Sequence, residues 1–150
     1  MQLSFHADYA CRTLIYLALL PPGTRSSIEE IAKAYGISVN HLVKVVHALG
    51  RFGFVETTRG RGGGLRLARP AREISIGDVI RKTEPGFELV ECFRLEGNAC
   101  PITPACGLKP WLGKAMAAFL TTLDNVTLAD VTERREALAE ALSLGAIRAD

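Results

Sequence analysis

Residues 59–64 read Arg59-Gly60-Arg61-Gly62-Gly63-Gly64, and neither a helix nor a packed strand can run through them. Glycine enters left-handed backbone freely and brings no side chain to bury. The flanks have strand character, Phe54-Val55-Glu56-Thr57-Thr58 before and Leu65-Arg66-Leu67-Ala68 after. The segment therefore predicts a β-hairpin whose loop stands off the body. A nucleotide phosphate loop is set aside, because no Gly-Lys-Ser/Thr is present and no helix opens directly after the glycines. The glycines allow close approach to another surface, and the arginines offer contacts to phosphate or to a minor groove. The hairpin reads as a wing.

What precedes it is helical. Ala10, Leu14, Leu17 and Ala18 recur at helical spacing from about Asp8 to Leu20, where Pro21-Pro22-Gly23 breaks the pattern. Ser26-Ser27-Ile28-Glu29-Glu30 opens the next helix with two overlapping capping boxes, Ser26 with Glu29 or Ser27 with Glu30. Gly36 stands where a left-handed residue ends it. A third helix begins at Ser38, an N-cap residue, and runs to Leu49 before Gly50. Its Leu42, Val45, Val46 and Leu49 sit at i, i+3, i+4 and i+7, a core stripe. Asn40, His41, Lys44 and His47 point elsewhere. Two short helices joined at a glycine, the second polar at its start, form a helix-turn-helix pattern. With the hairpin behind it, the pattern becomes a winged helix-turn-helix.

Charge agrees with a polyanion partner. Residues 1–82 hold twelve Lys and Arg against six Asp and Glu, whereas residues 83–150 hold six against ten. The basic excess peaks over 51–72, where six arginines face Glu56 alone. No apolar run approaches membrane-spanning length, and Leu14–Leu20 lacks the flanks of a signal peptide. A cytoplasmic protein with reduced cysteines is expected.

Three of the four cysteines fall within fifteen residues, Cys92-x7-Cys100-x5-Cys106, and that stretch contains no histidine. Structural zinc sites favour paired C-x2-C knuckles, and the chain has none. Three thiolates with a weaker fourth ligand from elsewhere suit iron–sulfur chemistry. Around this loop, Ile74–Lys82 predicts a short helix capped at Ser75, ended by Glu84-Pro85-Gly86. Pro110 suits the first turn of a long helix whose Leu112, Ala115, Met116, Phe119, Leu120 and Leu123 make one apolar stripe. That stripe is expected to be a dimer seam. A last helix from Thr127 to Leu144, capped by Thr127 and Asp130, is expected to be a frayed tail. The fold class is thus mainly α with a small β wing. It comprises a winged helix-turn-helix DNA-binding domain over 1–84, a cysteine loop over 85–109, and a dimerisation helix with tail over 110–150.

These residues resemble a known family, the winged-helix iron–sulfur transcriptional regulators, and within it the nitric-oxide-sensing repressors. The likeness runs from Met1-Gln2-Leu3 and Asp8-Tyr9-Ala10 through Asn40-His41-Leu42-Val43-Lys44-Val45-Val46. It continues in Arg59-Gly60-x-Gly62-Gly63-Gly64-x-Arg66-Leu67, Ile76-Gly77-Asp78-Val79 and Leu89-Val90-x-Cys92. Most specific are Cys100-x-Ile102-Thr103-Pro104-Ala105-Cys106-x-Leu108-Lys109 and Leu123-Asp124-Asn125-x-Thr127-Leu128-Ala129-Asp130. The resemblance implies a homodimeric repressor of a palindromic double-stranded operator that releases DNA in response to nitric oxide. It also implies an iron–sulfur cluster, 4Fe–4S rather than 2Fe–2S, held by Cys92, Cys100 and Cys106, with Asp8 lent by the partner subunit. A histidine follows the third cysteine in IscR-like members; Gly107-Leu108-Lys109 stands there in this chain. An iron- or cluster-status-responsive repressor of the same family is the alternative.

On DNA, Ser38, Asn40, His41 and Lys44 are expected at the major groove or its phosphates, and Arg59 and Arg61 at the minor groove. From the residues alone Asp8 reads as the N-cap of its helix, Cys11 as packing, His47 as solvated and Trp111 as a packing anchor. No H-E-x2-H, G-x-S-x-G or C-x2-C pattern supports an enzyme.

Overall fold

The computed structural model describes residues 2–60, 62–94 and 96–144. Arg61 and the end of the expected tail, 145–150, lie outside the described residues.

Helix α1 spans Phe5–Leu19 and starts one turn earlier than the sequence pattern predicts, because Ser4 and not Asp8 is the N-cap. The Ser4 hydroxyl accepts from the Ala7 amide at 3.2 Å. Helix α2, Ile28–Tyr35, uses the Ser27–Glu30 box. Ser26 is unavailable for that role because it is buried and forms an antiparallel bridge with Leu65. The Ser26 and Ser27 hydrogen bonds hold the Glu30 carboxyl below its ordinary range. Gly36 then turns the chain at φ 63°. Helix α3, Val39–Arg51, runs through Gly50, and the turn follows at Gly53 with φ 72°.

Strands β1 (Val55–Thr58) and β2 (Gly64–Leu67) pair antiparallel, Val55 opposite Leu67 and Thr58 opposite Gly64. The loop between them is made for glycine. Gly60 and Gly62 have φ of 92° and 78°, and a Cβ on Gly63 would collide with the Thr58 carbonyl. The hairpin is anchored along β2, one pair from the loop, by reciprocal Ser26–Leu65 backbone bonds of 3.0 and 2.7 Å.

One apolar core unites these elements around α1. Leu14 and Leu17 meet Ile31 of α2, Leu42, Val45 and Leu49 of α3, and Phe54 and Leu65 of the wing. Helix α4 (Ile76–Thr83), capped by Ser75, adds Val79 and Ile80. The Phe54 ring is flanked by the Arg69 guanidinium at 5.0 Å and the Lys82 ammonium at 5.1 Å, both of which also bond Asp78.

Helix α5 (Leu108–Asp124) follows the cysteine loop and is locked to α4 at its far end. Gly77 lies so close to Asp124 that an added Cβ would sit 2.6 Å from the Asp124 nitrogen. Arg81 grips the Asp124 carboxylate at 2.6 and 3.2 Å, and this holds the carboxyl below its usual range. The bond is therefore intact at neutral pH and is lost only as pH falls through that lowered pKa. Backbone bonds Ile76 to Val126 and Leu128 to Ile74, both 2.8 Å, complete the joint. Along α5, Leu120 is buried and Met116, Phe119 and Leu123 pack partly on the core, while Leu108 and Trp111 are 61% and 64% exposed.

The single terminal helix expected over 127–144 is instead two, α6 (Leu128–Val131) and α7 (Arg135–Ala141). The buried Thr132 hydroxyl bonds back to Leu128 and Ala129 carbonyls and ends the first. Nor is α7 frayed: Ala139 is buried, and Arg135 donates to the Ala18 and Leu19 carbonyls at the C-terminus of α1. The Thr127–Asp130 capping box is formed.

Gly77→Ala tests the α4–α5 joint. Overpacking there should lower the melting temperature by roughly 3–10 °C, whereas Gly107→Ala, where a Cβ meets nothing within 4 Å, should leave thermal unfolding unchanged.

Candidate nucleic-acid interface and cysteine centre

Packing of α3 on α1 and α2 decides which of its side chains face outward. Leu42, Val45, Val46 and Leu49 are buried, which leaves Ser38, Asn40, His41 and Lys44 exposed. Val39, Val43, His47 and Arg51 share that exposure. Asn40, Lys44, His47 and Arg51 succeed one another along the centre of the outward face, so His47 and Arg51 belong to it as fully as the residues singled out from sequence. Val43, 47% exposed, was missed as well. It lies off the core stripe, and that offset was the available signal. An exposed valine on a polar helix face suits apolar contact with a thymine methyl.

Ser38 takes cap geometry, φ −62° and ψ 127°, yet its hydroxyl makes no capping bond. The first amides of α3 and a free hydroxyl therefore point outward together, a favourable disposition for phosphate.

The arginines of 51–72 separate into two groups. Arg66 pairs with Glu56 across the hairpin at 2.7 Å, Arg69 with Asp78 at 3.6 Å, and Arg72 with Glu73 at 3.7 Å. Among the described residues, Arg51 at the end of α3 and Arg59 at the wing tip have no acidic partner. The uncompensated charge thus lies at Arg51 on the outward face of α3 and at Arg59 on the wing tip. Arg25, which sequence reading passed over, donates to the Gly64 carbonyl at 3.4 Å and ties the wing to the approach to α2.

The cysteine loop between α4 and α5 is built of short turns. Cys92 sits in a 3-10 turn, Glu91–Phe93, and Cys106 follows another, Thr103–Ala105. Asn98 closes the turn around Cys100, accepting from its amide at 3.2 Å and bonding the Thr103 hydroxyl at 3.1 Å. All three thiols are free and half-buried. Among the described residues no three His, Cys, Asp or Glu side chains converge into a metal site. The donor chemistry nonetheless fits an iron–sulfur cluster: three soft thiols, free of disulfides and reachable, on backbone with few bonds to hold it rigid.

Asp8 lies in the first turn of α1, half-buried, its carboxylate paired with Arg12 at 2.8 Å. The Arg12 guanidinium lies 5.9 Å from the centroids of both the Tyr9 and Tyr35 rings. Burial pushes the Tyr35 hydroxyl up to about 12, so it stays protonated. Among the described residues of one chain, Asp8 forms no metal-holding group with the cysteines. Cys11 is the packing residue expected, its thiol pushed up to about 11 by burial and by the charge of Asp8. Trp111 is no packing anchor within the chain; it is exposed, with the Lys114 ammonium 4.4 Å from its ring centroid.

Comparison with known proteins agrees with the winged-helix architecture. The family profile described as "Rrf2: Iron-dependent Transcriptional regulator" matches residues 3–134. The HTH-type transcriptional regulator NsrR of Bacillus subtilis is 48% identical over 144 residues, covering 96% of this chain and 99% of that protein. NsrR of Shouchella clausii is 50% identical over 131 residues, covering 87% and 88%. Among solved structures, T. potens IscR superposes with a TM-score of 0.71 at 26% identity, covering 92% of this chain and 90% of that one. These relatives are transcriptional regulators and not enzymes.

Thiol chemistry separates the four cysteines. In metal-free, reduced protein at neutral pH, Cys92, Cys100 and Cys106 should be alkylated quickly and Cys11 slowly, because the thiolate is the nucleophile. Peptide mass spectrometry after brief exposure to iodoacetamide reads the pattern, and rapid labelling of Cys11 would contradict its burial.

Proposed function

Because the chain belongs to the Rrf2 family of DNA-binding transcriptional regulators, we propose that it is a homodimeric repressor of a palindromic operator that releases DNA on exposure to nitric oxide. Residues 1–84 bind DNA, 85–109 hold an iron–sulfur cluster, and 110–150 dimerise. The observation that carries this reading is the donor set: three free thiols in one loop, and a carboxylate, Asp8, on the first turn of a helix that meets α3 in the core.

The α3 face recognises the operator. Ser38 and His41 hold phosphate at the helix N-terminus, Asn40 and Lys44 meet base edges, and Arg59 and Arg61 follow the minor groove. A symmetric pair of such helices needs fixed spacing to engage two half-sites. The exposed apolar side chains of α5, Leu108 and Trp111 among them, supply a seam for that pairing.

Cys92, Cys100 and Cys106 would hold the cluster as thiolates, with Asp8 of the partner subunit as the fourth ligand. A cluster so held supplies one iron bound through carboxylate, a weaker ligand than thiolate and the more easily displaced. Asp8 is then the strap between subunits. Loss of that ligand would release the first turn of α1 from the partner subunit, and α1 packs against α3 in the core. The two recognition helices lose their register and DNA is released. The reading takes 4Fe–4S over 2Fe–2S because Gly107-Leu108-Lys109 stands where IscR-like members carry a histidine after the third cysteine.

A second reading, in which iron supply is the signal, is favoured by the family's character as iron-dependent transcriptional regulators. A mobility-shift titration of anaerobically isolated protein discriminates the two. Retardation abolished by nitric oxide, and retained when free iron is chelated, supports nitric-oxide sensing; loss on chelation alone supports the iron reading. Equal retardation of holoprotein, apoprotein and gas-treated protein sinks both. Arg59→Ala should weaken operator binding by about 1–3 kcal/mol at fixed salt, measured by fluorescence anisotropy.

A further inference from the structure

The contact that most closely links the two halves of the proposed ligand set is outside both of them. Glu84 is the residue at which α4 ends and the cysteine loop begins, its amide bonded to the Ile80 carbonyl at 2.8 Å. Its half-buried carboxylate accepts from the Ser4 backbone amide at 3.1 and 3.2 Å and from the Ser4 hydroxyl at 2.9 Å. Ser4 is the N-cap of α1, and its carbonyl accepts the Asp8 amide at 3.0 Å. One carboxylate therefore joins the root of the cysteine loop to the turn that bears Asp8.

We propose that Glu84 is a positioning residue for Asp8, fixing the first turn of α1 against the start of the cysteine loop. This inference rests on the reading of Asp8 as a ligand given above. Capping alone does not require Glu84, since the Ser4 hydroxyl already serves the Ala7 amide. What Glu84 adds is a fixed direction. An anion at a helix N-terminus is favourable, and this one reaches α1 from another element, across eighty positions of chain. If each subunit lends its Asp8 to the partner's loop, each Glu84 couples the state of its own loop to the reach of the aspartate it lends. Disturbance at one cluster is thereby transmitted to the other.

The test compares wild type, Asp8→Ala, Glu84→Ala and Glu84→Gln. Hydrogen exchange of apoprotein should show the Ala7 and Asp8 amides of Glu84→Ala exchanging about tenfold faster, with α3 unchanged. In anaerobic holoprotein, the visible circular dichroism of Glu84→Ala should shift toward that of Asp8→Ala. A ferrous chelator should withdraw iron about tenfold faster. Glu84→Gln, which keeps one acceptor oxygen, should fall between, and carries the test alone if the alanine variant does not fold. An Asp8→Ala spectrum identical to wild type overturns the ligand reading. An altered Asp8→Ala spectrum beside wild-type spectra, exchange and iron loss in both Glu84 variants overturns the role of Glu84 alone.

Discussion

The close approach of Gly77 to Asp124 governs how the molecule is put together. Without a Cβ at Gly77 the backbones of α4 and α5 meet, and Arg81 and Ser75 then fasten the Asp124 side chain and carbonyl. The long helix α5 is thereby joined rigidly to the winged-helix body at one end, while its other end carries the exposed Leu108 and Trp111. If α5 pivoted freely on α4, pairing two copies along α5 would set no distance between their α3 helices.

Helix α1 has the complementary position, at the centre of the core. It meets α3, α4, β2, α6 and α7, and Arg135 seals its C-terminal carbonyls. A displacement of its first turn cannot be absorbed locally, because cores are close-packed and transmit strain. That turn bears Asp8, and Arg12 connects it to Tyr35 at the end of α2, immediately before α3. The path from Asp8 to α3 is thus short in contacts although it is long in sequence.

Much of the fold was legible because its signals are local. The Ser27–Glu30 and Thr127–Asp130 boxes, the glycine loop and the core stripe of α3 each depend on residues within a few positions. Errors arose where distant contacts decide. Asp8 resembles an N-cap until Glu84 is seen holding Ser4 in that place. The last helix reads as a loose tail, since neither the Arg135 grip on α1 nor the Thr132 back-bonds leave a periodic trace. The outward face of α3 was half legible: polarity revealed Asn40 and Lys44, but Val43 carries no polar mark, and Arg51 was credited to the basic stretch, not to the helix.

The cysteine loop obeys a different logic from the rest of the chain. Elsewhere, burial of apolar side chains offsets the entropy of ordering the backbone. Among the described residues of 86–107, Phe87 alone packs against the core, and the bonds around Cys100 are a local turn made by Asn98. A segment so lightly held would take its geometry from a group bound to its thiols. Near its root, where α4 passes into it at Glu84, the loop is fastened to α1 through Ser4. The compliance of the loop and the firm hold at its root are therefore complementary: the first would let the thiols adapt to a ligand of the kind proposed, and the second would pass that adaptation to the helix that bears Asp8.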